Sequence, residues 1–132
     1  MSKFSTWFNN AYTKWSRTNP GGEDFLAFCN RLGIPAVKVL SWLEGKSAPE
    51  GAESLNIAGL LGPEVYALLG QSEPHPALVE IYQSFSHLSA DERCRLALAL
   101  CEAQSTIHQK GLPIESEEAK RILRQAMKRH GL

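Results

Sequence analysis

The sequence predicts an all-α fold, with five short helices in the first 70 or so residues and two or three more behind them. Three observations predict it. Apolar residues recur at three- and four-residue spacing in stretch after stretch, the period of a helix with one buried face. Glycine, alone or near a proline, follows most of these stretches, at Gly33, Gly45, Gly62-Pro63, Gly70 and Gly111-Leu112-Pro113. Left-handed backbone or a missing N–H stops a helix at such places. Capping residues precede several stretches, most clearly Ser89-Ala90-Asp91-Glu92, which fits the S-x-x-E capping box. With 43% hydrophobic residues the chain can build a packed core without metal or disulfide support.

The elements follow in order. Phe4, Trp7, Phe8, Ala11 and Trp15 share a helical face and predict an amphipathic helix over about 2–17, its aromatics anchoring the core. Thr18 to Gly22 is a loop. Asp24 suits the N-cap of a helix over about 24–32, whose Phe25, Phe28, Cys29 and Leu32 recur at helical spacing. Gly33 suits its left-handed end, and Pro35 the first turn of the next helix, about 35–44, with Val39 and Trp42 on one side. After a loop from Gly45 to Gly51, helices are expected at 52–61 and, from Pro63-Glu64, through Val65, Leu68 and Leu69.

The polar stretch Gln71 to Pro76 reads as a linker, so the expected organisation is a domain at 1–70, a linker at 71–76 and a helical extension at 77–132. In the extension Leu78, Ile81, Tyr82, Phe85 and Leu88 define one helix. A longer helix at about 90–109 carries Cys94, Leu96, Ala97, Leu98, Leu100, Cys101 and Ile107, too wide an apolar stripe for a two-helix hairpin to cover. It is expected to pack on the N-terminal domain or on another chain. Ser116 caps a last helix to about Arg129, apolar at Ala119, Ile122, Leu123, Ala126 and Met127 and basic at Lys120, Arg121, Arg124, Lys128 and Arg129.

Composition narrows the function. Net charge is zero, and residues 1–70 hold six Lys/Arg against six Asp/Glu, so no broad basic field marks a nucleic-acid surface. Cys29, Cys94 and Cys101 lack metal or redox spacing and read as reduced thiols, packed as small hydrophobes. His75, His87, His108 and His130 have no metal-ligand spacing. No apolar run approaches membrane-spanning length, and the N-terminus lacks a signal region, so a cytoplasmic protein without a membrane partner is expected. No phosphate loop, metal cluster or nucleophile elbow suggests an enzyme or calls for a cofactor.

Two helices joined by a short glycine turn, within Glu23 to Pro49, are a helix-turn-helix signature. Gly33-Ile34, Val39, Trp42, Gly45-Lys46 and Pro49 keep the order and spacing of a G-[IV]-S-x-x-x-[IV]-S-x-W-x-x-G-K-x-x-P motif, and Leu55 with Ile57-Ala58 approximates the helix that follows it. In these residues the chain resembles the lambda-repressor/Cro-like (xenobiotic-response-element) helix-turn-helix family. The likeness covers about Phe4 to Gly70 and continues weakly to about Ala103.

The resemblance implies a five-helix DNA-binding domain in a transcriptional regulator, expected to act as a homodimer on double-stranded DNA. It implies that the helix at 35–44 enters the major groove. The contacting residues it implies are Ala36, Val37, Lys38, Leu40 and Ser41 on that helix, with Lys46 and Ser47 meeting phosphate. Lys38 could reach a guanine edge or a phosphate, and Ala36 and Val37 a thymine methyl. The chain also departs from the family pattern. Ala36, Leu40 and Ser41 stand where polar or basic residues are frequent, and Phe25 where a glutamine often grips phosphate. An alternative follows: a helix-turn-helix fold that has lost base reading and binds a protein partner through Ala36, Val37, Leu40 and Leu43.

Overall fold

A computed structural model describes residues 2–18, 25–85 and 87–132. Among the described residues the protein is all-α: α1 (Lys3–Thr18), α2 (Phe25–Leu32), α3 (Ala36–Leu43), α4 (Ala52–Leu61), α5 (Glu64–Leu69), α6 (Pro76–Ser84), α7 (Ala90–Gln109) and α8 (Glu117–Arg129). The expected cap Asp24 and the loop residues 19–22 lie outside the described residues.

Two apolar clusters form the interior. The first joins Phe4 and Phe8 of α1, Phe28, Cys29 and Leu32 of α2, Val39 and Trp42 of α3, Ile57 and Ala58 of α4, and Val65 and Tyr66 of α5. It is aromatic at its centre: Phe8 meets Phe4, Phe28 and Trp42, and Phe28 also meets Tyr12 and Trp15, at centroid separations of 4.8–5.9 Å. Trp7 and Trp15 sit at its rim, half-buried. The second cluster is built from Leu and Ala of α7, with Leu78 and Tyr82 of α6 and Ala119, Ile122, Leu123 and Ala126 of α8. Alanines at the seam let α7 and α8 run close together.

Helix α4 lies between the clusters. Five consecutive residues, Ser54 to Ala58, are buried, so it has no solvent face there. Leu55 enters the second cluster, while Ile57 and Ala58 enter the first. Buried Asn56 donates to the Tyr82 hydroxyl (3.0 Å) and the Arg93 carbonyl (3.3 Å), linking α4, α6 and α7. Within the chain α2, α4, α6 and α8 pack on α7 and cover much of its stripe, while Leu98 stays 45% exposed.

Three local expectations change. Helix α6 stops at Ser84 rather than running through Leu88. Its C-cap Phe85 is extended (φ −91°, ψ 98°), and Ser89 is extended (φ −68°, ψ 168°) as the N-cap of α7, so the helix must break between them. Pro35 is the N-cap of α3 (φ −57°, ψ 140°), one residue before the helix. Cys94 and Cys101 are half-buried, Cys94 beside the turn between α2 and α3 and Cys101 against the second cluster, while Cys29 is in the core. The capping box forms as read: Ser89 Oγ accepts from the Glu92 N–H (3.2 Å), and the Glu92 carboxylate accepts from the Ser89 N–H (3.0 Å).

Candidate nucleic-acid interface

The α2–turn–α3 unit is bracketed by two glycine stops of the same geometry. Gly33 has φ +76°; its N–H bonds the Asn30 carbonyl (3.2 Å) and the Ile34 N–H bonds the Cys29 carbonyl (3.2 Å). Gly45 has φ +74°, with Gly45 to Trp42 (3.2 Å) and Lys46 to Ser41 (2.9 Å). Both pairs are the bonds of a Schellman motif, which satisfies the last carbonyls of a helix. At Gly33 a second constraint applies. A Cβ there would lie 2.7 Å from the Arg93 Cβ and 3.0 Å from the Ala90 carbonyl oxygen, so the first turns of α7 press directly on this turn.

Helix α1 holds the far end of α3. Ser5 Oγ donates to the carbonyls of Trp42 (3.3 Å) and Leu43 (3.4 Å), and Asn9 Nδ2 donates to Leu43 (2.9 Å). With Trp42 packed edge-on against Phe8, these bonds set the orientation of α3 against α1.

The outward side of α3 is open. Val37 is 77% exposed and Leu40 47% exposed, and no C-terminal helix covers them. Ser41 and Ser47 share a hydrogen bond of 2.7 Å, which draws the loop after Gly45 against the helix. Val37, Lys38, Leu40, Ser41, Lys46 and Ser47 are thus accessible or partly so. Ala36 and Leu43 are half-buried against the first cluster, beside the more exposed Val37 and Leu40. Leu26 of α2, 58% exposed, borders a groove that continues past Pro35 and Ala36 to Ala90, Asp91 and Cys94.

Both lysines have carboxylate neighbours. Lys38 pairs with Glu53 of α4, and Lys46 with Glu44 (2.7 Å). The hydrogen bond to the carboxylate raises the pKa of each lysine, so both stay charged across the physiological range. The local charge is balanced rather than basic. Exposed pairs of this kind contribute little to stability, so an incoming phosphate can compete for the lysines.

Sequence reasoning did not find Ser5, Asn9 and Asn56. Their signal was present but ambiguous: Ser5 and Asn9 are four apart beside Phe4 and Phe8 on α1, and Asn56 lies inside the apolar run of α4. Among the described residues no three His, Cys, Asp or Glu side chains converge as a metal-ligand group, and no helix is long and apolar enough to cross a membrane. The chain matches no protein-family model, no curated protein and no solved structure.

Proposed function

We propose that the chain is a non-catalytic, cytoplasmic DNA-binding regulator of transcription that meets duplex DNA with the outward side of α3 and the loop behind it. The observation carrying this reading is the uncovered face of α3: Val37 and Leu40 stand open while α7 and α8 pack elsewhere. In this reading Lys38 and Lys46 exchange their carboxylate partners for phosphates, Ser41 and Ser47 bond phosphate oxygens, and Ala36 and Val37 contact thymine methyls. The division into a DNA-binding domain at 1–70 and a helical extension at 77–132 belongs to the same reading, as does the five-helix, lambda-repressor-like character of the first part. A homodimer would set two α3 helices about 34–36 Å apart, one DNA turn.

A second reading, a protein-interaction module, is favoured by one specific observation. Three exposed side chains around α3 are apolar (Leu26, Val37, Leu40), and both nearby lysines are countered by carboxylates. A salt titration of binding to random-sequence duplex DNA separates the two. The DNA reading expects affinity that falls linearly in log–log form as salt rises, with a slope set by the phosphates contacted. Absence of binding at low salt would leave the protein-interaction reading.

A further inference from the structure

A cavity of about 460 Å³ lies on the C-terminal half of α7, and no residue of α3 or of the loop behind it lines it. Three segments wall it, and each is placed by its own bonds. The stretch between α5 and α6 supplies Glu73 and His75. It is tied down at both ends: Gln71 accepts from Ser54 Oγ (2.7 Å) and donates to the Pro49 carbonyl (3.1 Å), and the His75 N–H donates to Gln104 Oε1 of α7 (3.3 Å). Helix α7 supplies Cys101, Gln104, Ser105, Ile107 and His108. A Schellman turn ends that helix: Gly111 has φ +65°, its N–H bonds the His108 carbonyl (3.0 Å), and the Leu112 N–H bonds the Ile107 carbonyl (3.1 Å). The turn returns the chain so that Leu112 and Ile114 reach the cavity.

The lining divides into a buried apolar side and an open polar side. Ile107 is buried, and Cys101, Leu112 and Ile114 pack half-buried against the second cluster. Burial raises the pKa of the Cys101 thiol, so it stays neutral and belongs with the apolar groups. On the polar side His75 Nδ1 accepts from the Ala77 N–H (3.1 Å), which puts a ring proton on Nε2 as a donor. The Gln104 oxygen is taken by the His75 backbone, which leaves its amide N–H groups to donate. Glu73 is the one carboxylate lining the cavity, and it has no ion-pair partner among the described residues. No lysine or arginine lines the cavity with it. The complement is a molecule with a cation for Glu73, a neutral acceptor for the donors of His75 and Gln104, and an aliphatic body for the apolar side.

We propose that this cavity binds a small primary ammonium compound that carries an aliphatic side chain and a neutral carbonyl or hydroxyl beside the nitrogen. The volume lies within the range of about 300–1,000 Å³ usual for small-molecule sites. The bonds at Gln71 and His75 hold the wall in place beforehand, so little ordering opposes binding. The proposal does not depend on the DNA reading.

Leucinamide titrated into the full chain, followed by calorimetry, tests it. Isocaproamide, which lacks the ammonium, and isocaproate, an anion with the same aliphatic body, are the comparisons. Saturable binding of leucinamide is expected, with weaker binding of isocaproamide and none of isocaproate. Glu73→Gln, at an exposed position, should weaken leucinamide by about threefold to tenfold. Ser105→Phe, which fills the cavity from an exposed position of α7, should weaken it by about tenfold or more. Asp91→Asn, at the opposite end of α7, should leave it unchanged. No saturable leucinamide binding, equal affinity for isocaproate, unchanged affinity in Glu73→Gln or Ser105→Phe, or an equal loss in Asp91→Asn would overturn the proposal.

Discussion

The two apolar clusters solve the same problem with opposite means. The N-terminal cluster gathers the five helices α1 to α5 around large rings, with Phe8, Phe28 and Trp42 buried among them. The C-terminal cluster is rich in alanine, with Ala97, Ala99, Ala103, Ala119 and Ala126 buried on α7 and α8 and leucines between. Large rings fill wide spaces between helices, while small residues let helices approach closely. The first cluster should therefore be sensitive to lost volume and the second to added volume.

The largest effect should come from Phe28→Ala. It removes a fully buried ring that touches three others, and about 3–5 kcal/mol of stability should be lost in a denaturant titration. Because α4 serves both clusters, a single transition should persist and amide protection in α8 should fall with that in α2. Loss of protection confined to α1–α3 would mean that the clusters unfold separately. Ala126→Leu tests the other half. The three added carbons at this buried position should cost about 1–3 kcal/mol through overpacking; a neutral outcome would show slack between α7 and α8.

Gly33→Ala probes the contact between the regions. Alanine there must hold φ +76° and place its Cβ 2.7 Å from the Arg93 Cβ. A loss of about 1–3 kcal/mol is expected from the backbone conformation, and α7 must also shift. Restored stability in an Arg93→Gly background would identify the steric part.

The smallest effect is a matter of pH. Hydrogen bonds from Ser89 hold the Glu92 carboxyl below its ordinary pKa of 4.5, and bonds from His130 and Arg129 do the same for Glu102. A folded-state pKa below the unfolded one gives stability that is complete above the ordinary value and lost as pH falls through the lowered one. Glu92→Gln and Glu102→Gln should each narrow their gap from the parent protein as pH drops below 4.5. A gap that is constant with pH would show that these carboxyls titrate alike folded and unfolded.

Much of this was legible because it is local. Gly33 and Gly45 marked helix ends, Ser89 and Ser116 marked helix starts, and the three-and-four spacing of Phe4, Phe8, Phe28 and Trp42 marked one core. What was not legible is tertiary. Nothing in the sequence near Ser5 or Asn9 announces the α3 carbonyls 34 to 38 positions away. Gly33 was readable as a turn, but its close approach to Arg93 depends on where α7 docks. At the candidate interface the seven residues of 36–47 were identifiable from the motif, while the carboxylate partners of Lys38 and Lys46 were not: Glu53 reaches Lys38 only through the packing of α4 beside α3. Ala36 and Leu43 turned inward for the same reason, because eight residues of helix leave few positions that face only outward.

The central claim concerns that open face, and the salt dependence of DNA binding tests it most directly. Wild-type protein and a Lys38→Ala, Lys46→Ala double variant would be titrated with the same duplex over a range of salt. If these lysines meet phosphate, the variant's slope of log affinity against log salt should shrink by about 1 for each lysine removed. A variant with the wild-type slope and affinity, or a wild-type protein that ignores DNA at low salt, would contradict the assignment of α3 as the DNA-contacting helix.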